Sequence, residues 1–201
     1  MIDRSQLYFE QLLRVIPQLS FEQLDGITDT LYRAYERRQT IFLFGNGGSA
    51  SLASHMACDL GKGTSSPRRN KRVRVVALTD NLPTITAYAN DMGYEHIFSE
   101  QLKNLAHPGD IALAISGSGN SPNVINALHV ARALEMTTIG IGGFEGGAMK
   151  ALCDFAAIVP SNNMQMIEDL NLSVAHCVFT ILLNRIAAPV TFSRTVAGIA
   201  R

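Results

Sequence analysis

The chain has 201 residues, 47% hydrophobic and 17% charged, which is enough to bury a core without disulfide bonds. Lysine plus arginine and aspartate plus glutamate both number 17, so the near-zero net charge gives no broad attraction to nucleic acid or acidic membranes. The three cysteines form no paired motif, which favours reduced thiols. No uninterrupted apolar run reaches about 18 residues, the length of a membrane span. The polar first residues do not have the pattern of a signal peptide. We therefore predict a cytoplasmic globular protein with no membrane span and no nucleic-acid partner.

Two helices are predicted over residues 3–38, at the start of the chain. The second follows Ser20, with Gln23 three places further on to complete a capping box. These helices form an arm of one domain that spans residues 1–187. Residues 188–201 are predicted to be an irregular tail.

From residue 40 onwards, short apolar runs alternate with helical patterns. Near-continuous apolar strands between helices are typical of a parallel sheet covered on both faces. We therefore predict an α/β fold with a five-stranded parallel sheet, right-handed crossovers and helices on both faces. The predicted strands are Thr40–Phe44, Val73–Leu78, Ile111–Ile115, Thr137–Ile141 and Phe155–Val159, and the helices lie at about 49–60, 82–105, 121–134, 146–152 and 164–187.

The segment Ser116–Ser121, Ser-Gly-Ser-Gly-Asn-Ser, connects the third strand to a helix that begins at Pro122. Its glycines let the backbone turn tightly, and its hydroxyls and free N–H groups would face one point at a helix N-terminus. Such a cradle binds an anion without a positive side chain. The spacing fits neither a Walker loop nor a GxGxxG dinucleotide motif. The alternative is an ordinary polar turn with Ser121 as the N-cap.

A second glycine-rich turn, Gly45–Ser49, follows the first strand. Ligands bind at the carboxyl ends of the strands in open α/β sheets. The two turns together therefore predict a ligand cleft at one edge of the sheet. The alternative is that Gly47 and Gly48 serve only packing.

Two pairs of polar residues have spacings that suit a metal site. His55 and Asp59 lie four residues apart on one predicted helix, and Glu168 and His176 lie eight apart on the last helix. Each pair shares a helix face. Two imidazoles and two carboxylates could close a divalent site, for which mixed nitrogen and oxygen donors favour zinc. A helix-surface pair or a buried core histidine is the alternative for His55 and Asp59.

The two turns, Asn90-Asp91 and the order of elements resemble the sugar isomerase (SIS) domain family, and within it the phosphoheptose (sedoheptulose 7-phosphate) isomerases. The similarity covers residues 3–187. It implies the flavodoxin-like SIS fold and a homotetramer with helices packed between subunits. It also implies the aldose–ketose isomerisation of a sugar phosphate, most closely of sedoheptulose 7-phosphate to D-glycero-D-manno-heptose 7-phosphate.

The resemblance also implies roles for individual residues. One zinc ion per subunit would be held by His55, Asp59, Glu168 and His176. Asp59 would be the base and His176 the acid, or the reverse. Asn90-Asp91 is open to another interpretation, because Asn-Asp-Met-Gly is strong turn chemistry. Contacts to the substrate are implied for Asn46, Gly47, Gly48, Ser49, Asn90, Asp91, Ser116, Gly117, Ser118, Ser121 and Glu168.

Two of these residues depart from the family pattern. Asp59 stands where the family has glutamate, and its carboxylate would sit about 1.5 Å further back on an unchanged backbone. Misplacement on this scale can cost about a hundredfold in rate. Glu168 stands in place of glutamine and adds a negative charge, which strengthens cation binding.

Two functions other than catalysis are compatible with this fold. The replication protein that associates with the initiator resembles phosphoheptose isomerases, but it lacks the carboxylate at position 59 and acts through protein contacts. Because this chain retains Asp59 and His176, an isomerase is favoured. A regulator that senses sugar phosphates is a weaker alternative, since the chain has no DNA-binding module.

Overall fold

The computed structural model describes residues 4–65 and 71–187. Five strands form one parallel sheet, which confirms the predicted α/β class. The strand order β2-β1-β3-β4-β5 places the first strand next to the third. The strands are β1 Thr40–Gly45, β2 Arg74–Ala77, β3 Ile111–Ser116, β4 Thr137–Gly143 and β5 Phe155–Val159.

The helices fall close to their predicted positions, with one difference. The single helix predicted over 82–105 is two helices, because Gly93 has a φ of +103°, which no α-helix accommodates. The α-helices are α1 Ser5–Val15, α2 Phe21–Arg37, α3 Gly48–Cys58, α4 Leu82–Met92, α5 Ser99–Leu105, α6 Pro122–Ala133, α7 Gly147–Leu152 and α8 Met164–Ala187. Short turns of other helical types are the 3₁₀ turns Ile16–Gln18 and Tyr94–His96 and the π turn Asp59–Gly63.

The sheet carries helices on both faces, as predicted. Side chains alternate along each strand, so Ile41 and Leu43 of β1 face one side while Phe42 and Phe44 face the other. The first side packs against α2, α3 and α8. The second packs against the helices α4 to α7. Both faces of β1 and β3 are therefore buried, which explains their uninterrupted apolar sequences.

Helix α8 is the most apolar of the long helices. By length and by the composition of an 18-residue window it would be able to cross a membrane, a test that the core helix of a soluble protein also passes. Several of its buried residues, among them Val174, Val178 and Leu182, belong to the core cluster shared with α2 and α3. The predicted absence of a membrane span stays a prediction.

Helix α1 attaches to the body through few contacts. None of its residues is buried, although Leu12 and Val15 pack against a small cluster that includes Leu170. The Tyr8 hydroxyl donates a hydrogen bond of 2.5 Å to Oδ2 of Asp169 on α8. This bond, with lesser contributions from burial and from the negative charge of Asp169, raises the pKa of Tyr8 to about 12. The predicted tail, residues 188–201, lies outside the described residues, and the single-domain boundary stays a prediction.

We expect the substitution Tyr8→Phe to loosen α1, because it removes the hydrogen bond to Asp169 and keeps the aromatic ring. Hydrogen exchange of the α1 amides should become several-fold faster, while the α2 amides should keep their protection. Tyr32→Phe, which removes a tyrosine hydroxyl on α2, is the matched control. Unchanged exchange in α1 of the Tyr8→Phe protein would show that apolar packing alone holds this helix.

Candidate active site

The two glycine-rich turns meet at the switch point of the sheet. From β1 the chain crosses to β2 on one side, and β3 lies on the other side. Gly45 at the end of β1 is in register with Ile115 near the end of β3. The turns that follow these strands therefore emerge side by side, at the place where open α/β sheets bind ligands.

The Ser116–Ser121 loop is fixed by close backbone packing. Gly119 has a φ of +66°, and its N–H donates a hydrogen bond of 3.1 Å to Ser116 Oγ. A Cβ atom at Gly119 would lie 2.0 Å from the carbonyl oxygen of Gly146. The N–H of Gly143 donates to the carbonyl oxygen of Gly117, at 3.0 Å. The loop is thus held against the segment that joins β4 to α7, and only glycine fits at position 119.

This loop lines a cavity of about 190 Å³, which we call the serine cavity. Ser121 occupies the N-cap position of α6, as predicted, but its side chain makes no capping hydrogen bond. Among the described residues, no lysine or arginine lines the cavity. Hydroxyl and N–H groups are thus the donors for an anion here. The lining residues are Asn46, Ser49, Ile115, Ser116, Gly117, Ser118, Ser121, Met164 and Glu168.

Asn46 is positioned by two residues that the sequence analysis missed. Its side-chain amide forms a reciprocal pair with that of Asn123, with both hydrogen bonds at 2.8 Å. The Tyr94 hydroxyl also donates to Asn46 Oδ1, at 3.0 Å. Asn123 is 1% exposed. A polar residue in the first turn of the helix behind the serine loop was the available signal for Asn123, whereas no local pattern points to Tyr94.

Asn90 and Asp91 do not line the serine cavity in this chain. Both are exposed at the end of α4, and Asn90 Nδ2 donates to Asp91 Oδ1 at 2.7 Å. Both belong to the last turn of α4, which ends at Met92 before Gly93. Their contact with a sugar stays a prediction.

His55, Asp59 and His176 come together at the other end of α3, and we call them the His–Asp cluster. The Nε2 atoms of the two histidines are 2.8 Å apart, so one donates a hydrogen bond to the other. Asp59 Oδ2 lies 3.3 Å from Nε2 of His55 and 3.8 Å from Nε2 of His176. Each residue thus offers a ligand atom within 4.8 Å of the others. Their side chains are 47%, 30% and 50% exposed, so a small ligand can reach them.

Glu168 lies apart from the His–Asp cluster, although its spacing from His176 in the sequence predicted that it would join the same metal site. Its Oε1 lies over Gly48, where a Cβ atom would be only 2.8 Å away. Glu168 also lines the serine cavity. A side chain at position 48 would therefore displace the Glu168 carboxylate, whereas a Cβ atom at Gly47 would meet nothing within 4 Å. The structure brings together three of the four predicted metal ligands.

A groove of about 300 Å³ between α3 and α8 joins the two sites. Ser49 and Glu168 line both this groove and the serine cavity, and His55 lines the groove and belongs to the His–Asp cluster. Ser49 and His55 are six residues apart on α3, a rise of about 9 Å along the helix axis. The groove thus extends from the serine cavity to His55 of the His–Asp cluster.

A five-stranded parallel sheet with two glycine-rich turns at its switch point is the architecture of SIS-domain proteins, and the SIS domain family matches residues 7–143. A phosphoheptose isomerase of Aliarcobacter butzleri is 38% identical over 178 residues, 89% of this chain and 93% of that protein. One from Paramagnetospirillum magneticum is 44% identical over 137 residues, 68% of this chain and 70% of that protein. The chain belongs to the phosphoheptose isomerase family.

Solved structures agree with this assignment. Phosphoheptose isomerase from Neisseria gonorrhoeae superimposes with a TM-score of 0.82 at 28% identity, covering 90% of this chain and 97% of that one. The enzyme from Francisella tularensis gives a TM-score of 0.81 at 26% identity, covering 92% of this chain and 100% of that one. The predicted family and SIS fold are confirmed, and with them the class of enzyme, an aldose–ketose isomerase.

The substitution Gly119→Ala tests the packing of the serine loop. A left-handed or otherwise strained φ costs a non-glycine residue about 1–3 kcal/mol, and overpacking adds about 1–3 kcal/mol. Gly47→Ala is the control, because Gly47 also has a positive φ, +55°, but a Cβ atom there meets nothing within 4 Å. In urea denaturation, the free energy of unfolding should therefore fall by about 1–3 kcal/mol more for Gly119→Ala than for Gly47→Ala. Equal losses would show that the contact with Gly146 relaxes without cost.

Proposed function

We propose that this protein converts sedoheptulose 7-phosphate to D-glycero-D-manno-heptose 7-phosphate. The observation that carries the proposal is the groove with a phosphate-type cradle at one end and the His–Asp cluster at the other. Such an isomerisation moves a proton between C1 and C2 through an enediol. It requires a base over the carbon and a proton donor at the oxygens.

The rise along α3 between the two ends of the groove is comparable to the length of a seven-carbon chain. Six carbon–carbon bonds of about 1.5 Å separate C1 from C7, and an extended zigzag of them spans about 7–8 Å before the phosphate is added. The distance from Ser49 to His55 is about 9 Å along α3. With the phosphate in the serine cavity, the proposal places C1 and C2 of the heptulose toward the His–Asp cluster.

Within this proposal the two ends of the site have different tasks. Ser116, Ser118 and Ser121, with the N–H of Gly117 and with Ser49, bind the phosphate. Asn46, Gly47, Gly48 and Glu168 face the adjoining part of the sugar. Asp59 removes the proton from carbon and His176 donates one to oxygen, or the two exchange these roles. His55 lies 2.8 Å from His176 and orients its imidazole.

The donors of the His–Asp cluster fit a zinc ion. Two imidazole nitrogens and one carboxylate oxygen within 4.8 Å of one another are the mixture that zinc prefers. We propose that His55, Asp59 and His176 hold one zinc ion per subunit, which when bound would polarise the substrate carbonyl. Glu168 would become the fourth ligand only if its side chain turned away from Gly48. Its place in the groove supports a contact with the sugar.

We also propose that the protein is a cytoplasmic homotetramer. Large apolar side chains are exposed on the N-terminal arm, where Phe9 is 61% and Leu13 65% exposed. Leu172 on the neighbouring part of α8 is 39% exposed. Contact between subunits would cover these side chains, which favours assembly through α1 and α8.

The isomerase assignment is tested with sedoheptulose 7-phosphate and zinc, with formation of the aldose followed by nuclear magnetic resonance. The wild type should give the aldose heptose phosphate. Asp59→Asn should lower kcat by about 10²- to 10⁴-fold, because it removes the base and keeps the size of the side chain. Asp59→Glu, which restores the residue of the family, should retain measurable turnover.

The control is Asp25→Asn, which replaces an exposed aspartate on α2 with asparagine and should leave turnover unchanged. Without aldose product from the wild type, the heptose assignment is wrong. Full activity of Asp59→Asn would remove Asp59 as the base and leave the fold assignment intact.

Metal analysis of the purified, reconstituted protein tests the zinc site independently of activity. About one zinc per chain is expected in the wild type. His55→Ala and His176→Ala should each lower the zinc content severalfold, since each deletes a donor of the cluster. Glu168→Gln should keep a zinc content close to that of the wild type. Less than about one tenth of a zinc per wild-type chain after reconstitution would count against the site.

A further inference from the structure

The proposed function leaves Asn120 of the Ser116–Ser121 loop without a task. The residue is exposed, yet both polar atoms of its side-chain amide form hydrogen bonds within the protein. Nδ2 donates to the carbonyl oxygen of Ser118 at 3.1 Å, and Oδ1 accepts from the N–H of Ala148 at 2.9 Å. Because Ala148 lies in the first turn of α7, the Asn120 side chain ties the serine loop to that helix.

The Asn120 amide has only one orientation that satisfies both contacts. A rotation by half a turn would place its oxygen against a carbonyl oxygen and its nitrogen against an N–H group, so like groups would face each other. Gly147 leaves the space for this amide. A Cβ atom at Gly147 would lie 2.7 Å from both amide atoms and 2.6 Å from the carbonyl oxygen of Ser118. The amide is therefore fixed in direction and closely packed, although the residue is exposed.

Asn120 holds Ser118, which lines the serine cavity, at two points. Besides the side-chain bond to the carbonyl oxygen of Ser118, the backbone N–H of Asn120 donates to Ser118 Oγ at 3.3 Å. A hydroxyl oxygen that accepts from an N–H keeps its own hydrogen for donation to a ligand. Ser116 shows the same arrangement, since its Oγ accepts from the N–H of Gly119 at 3.1 Å. Both hydroxyl groups thus keep a hydrogen for the kind of bond that an anion accepts.

We infer that Asn120 is a positioning residue, which holds Ser118 as a hydrogen-bond donor to the phosphate group of the substrate. This inference rests on the proposed function, which places that phosphate in the serine cavity. Asn120 is not among the residues that line the cavity, and in the part of the chain that the structure describes no lysine or arginine lines it. The affinity for phosphate therefore depends on where each hydroxyl points. Asn120 controls this direction for Ser118, because it binds both the hydroxyl and the carbonyl group of that residue.

The test is a double-mutant cycle in the Asp59→Asn protein, in which turnover does not disturb the binding equilibrium. Sedoheptulose 7-phosphate and inorganic phosphate are titrated separately by calorimetry. Asn120→Ala should weaken binding of both ligands by about 3- to 10-fold, the effect of one weakened hydrogen bond to the phosphate group that they share. In the Ser118→Ala background the same substitution should change both affinities by less than about twofold, because the hydroxyl through which it acts is absent.

Thermal unfolding without ligand separates positioning from a general loss of structure. Ser118→Ala removes the hydroxyl but keeps the carbonyl oxygen to which Asn120 donates. Asn120→Ala should therefore lower the melting temperature by about 2–4 °C both with and without the Ser118 hydroxyl. Asn126→Ala is the matched control, because Asn126 Nδ2 also donates to a backbone carbonyl oxygen, that of Glu95, at 3.1 Å. Asn126 does not line the serine cavity, so both affinities should stay unchanged.

Three outcomes overturn the inference alone. If Asn120→Ala leaves both affinities unchanged, Asn120 does not position a group that binds phosphate. If Asn120→Ala weakens binding equally with and without the Ser118 hydroxyl, it acts on the loop as a whole. A loss confined to the sugar phosphate would show that Asn120 serves the sugar and not the phosphate.

The proposed function fails in a different way. In that case the Asp59→Asn protein with an intact serine loop binds inorganic phosphate but not sedoheptulose 7-phosphate, and the wild type forms no aldose. If neither ligand binds, the serine cavity is not a phosphate site, and both the proposed function and the role of Asn120 are wrong.

Discussion

The parallel pairing of β1 with β3 is the constraint on which the site depends. Both strands are buried on both faces, and Gly45 stands opposite Ile115. The two glycine-rich turns must therefore leave the sheet at the same level and next to each other. The cradle they form has hydroxyl and N–H groups as its donors, so its affinity for an anion depends on the position of the backbone. The contact of Gly119 with Gly146 holds that backbone in place.

Core packing also sets the second end of the groove. On α3, Leu52 and Met56 are buried against the sheet on either side of His55 along the chain. On α8, Val174 and Val178 are buried in the same cluster on either side of His176. These apolar side chains fix the rotation of each helix, so the two imidazoles face each other across the gap. The hydrophobic faces of α3 and α8 thus determine the geometry of polar residues that contribute little to the core.

Sequence patterns predicted most of the fold because the buried strands β1 and β3 are largely apolar runs and α8 keeps its helical pattern from 164 to 187. They also predicted that the two turns share an edge, since this follows from parallel topology. They could not predict the direction of Glu168, because helical spacing fixes a face and leaves the rotamers of a long side chain open. The contact of Tyr94 with Asn46 depends on how the segment after α4 folds back, which no local period encodes.

The charges along the groove bear on the substitutions at positions 59 and 168. Asp59 is one methylene shorter than the glutamate that the resemblance implies at this position, yet its Oδ2 lies 3.3 Å from Nε2 of His55, which is four residues earlier in the chain. Glu168 adds a carboxylate, and in the described part of the chain no lysine or arginine lines the groove or the serine cavity. A bound sugar phosphate would add further negative charge. The proposed divalent cation between the two imidazoles and Asp59 would offset this charge, so the Glu168 carboxylate would make substrate binding more dependent on that metal.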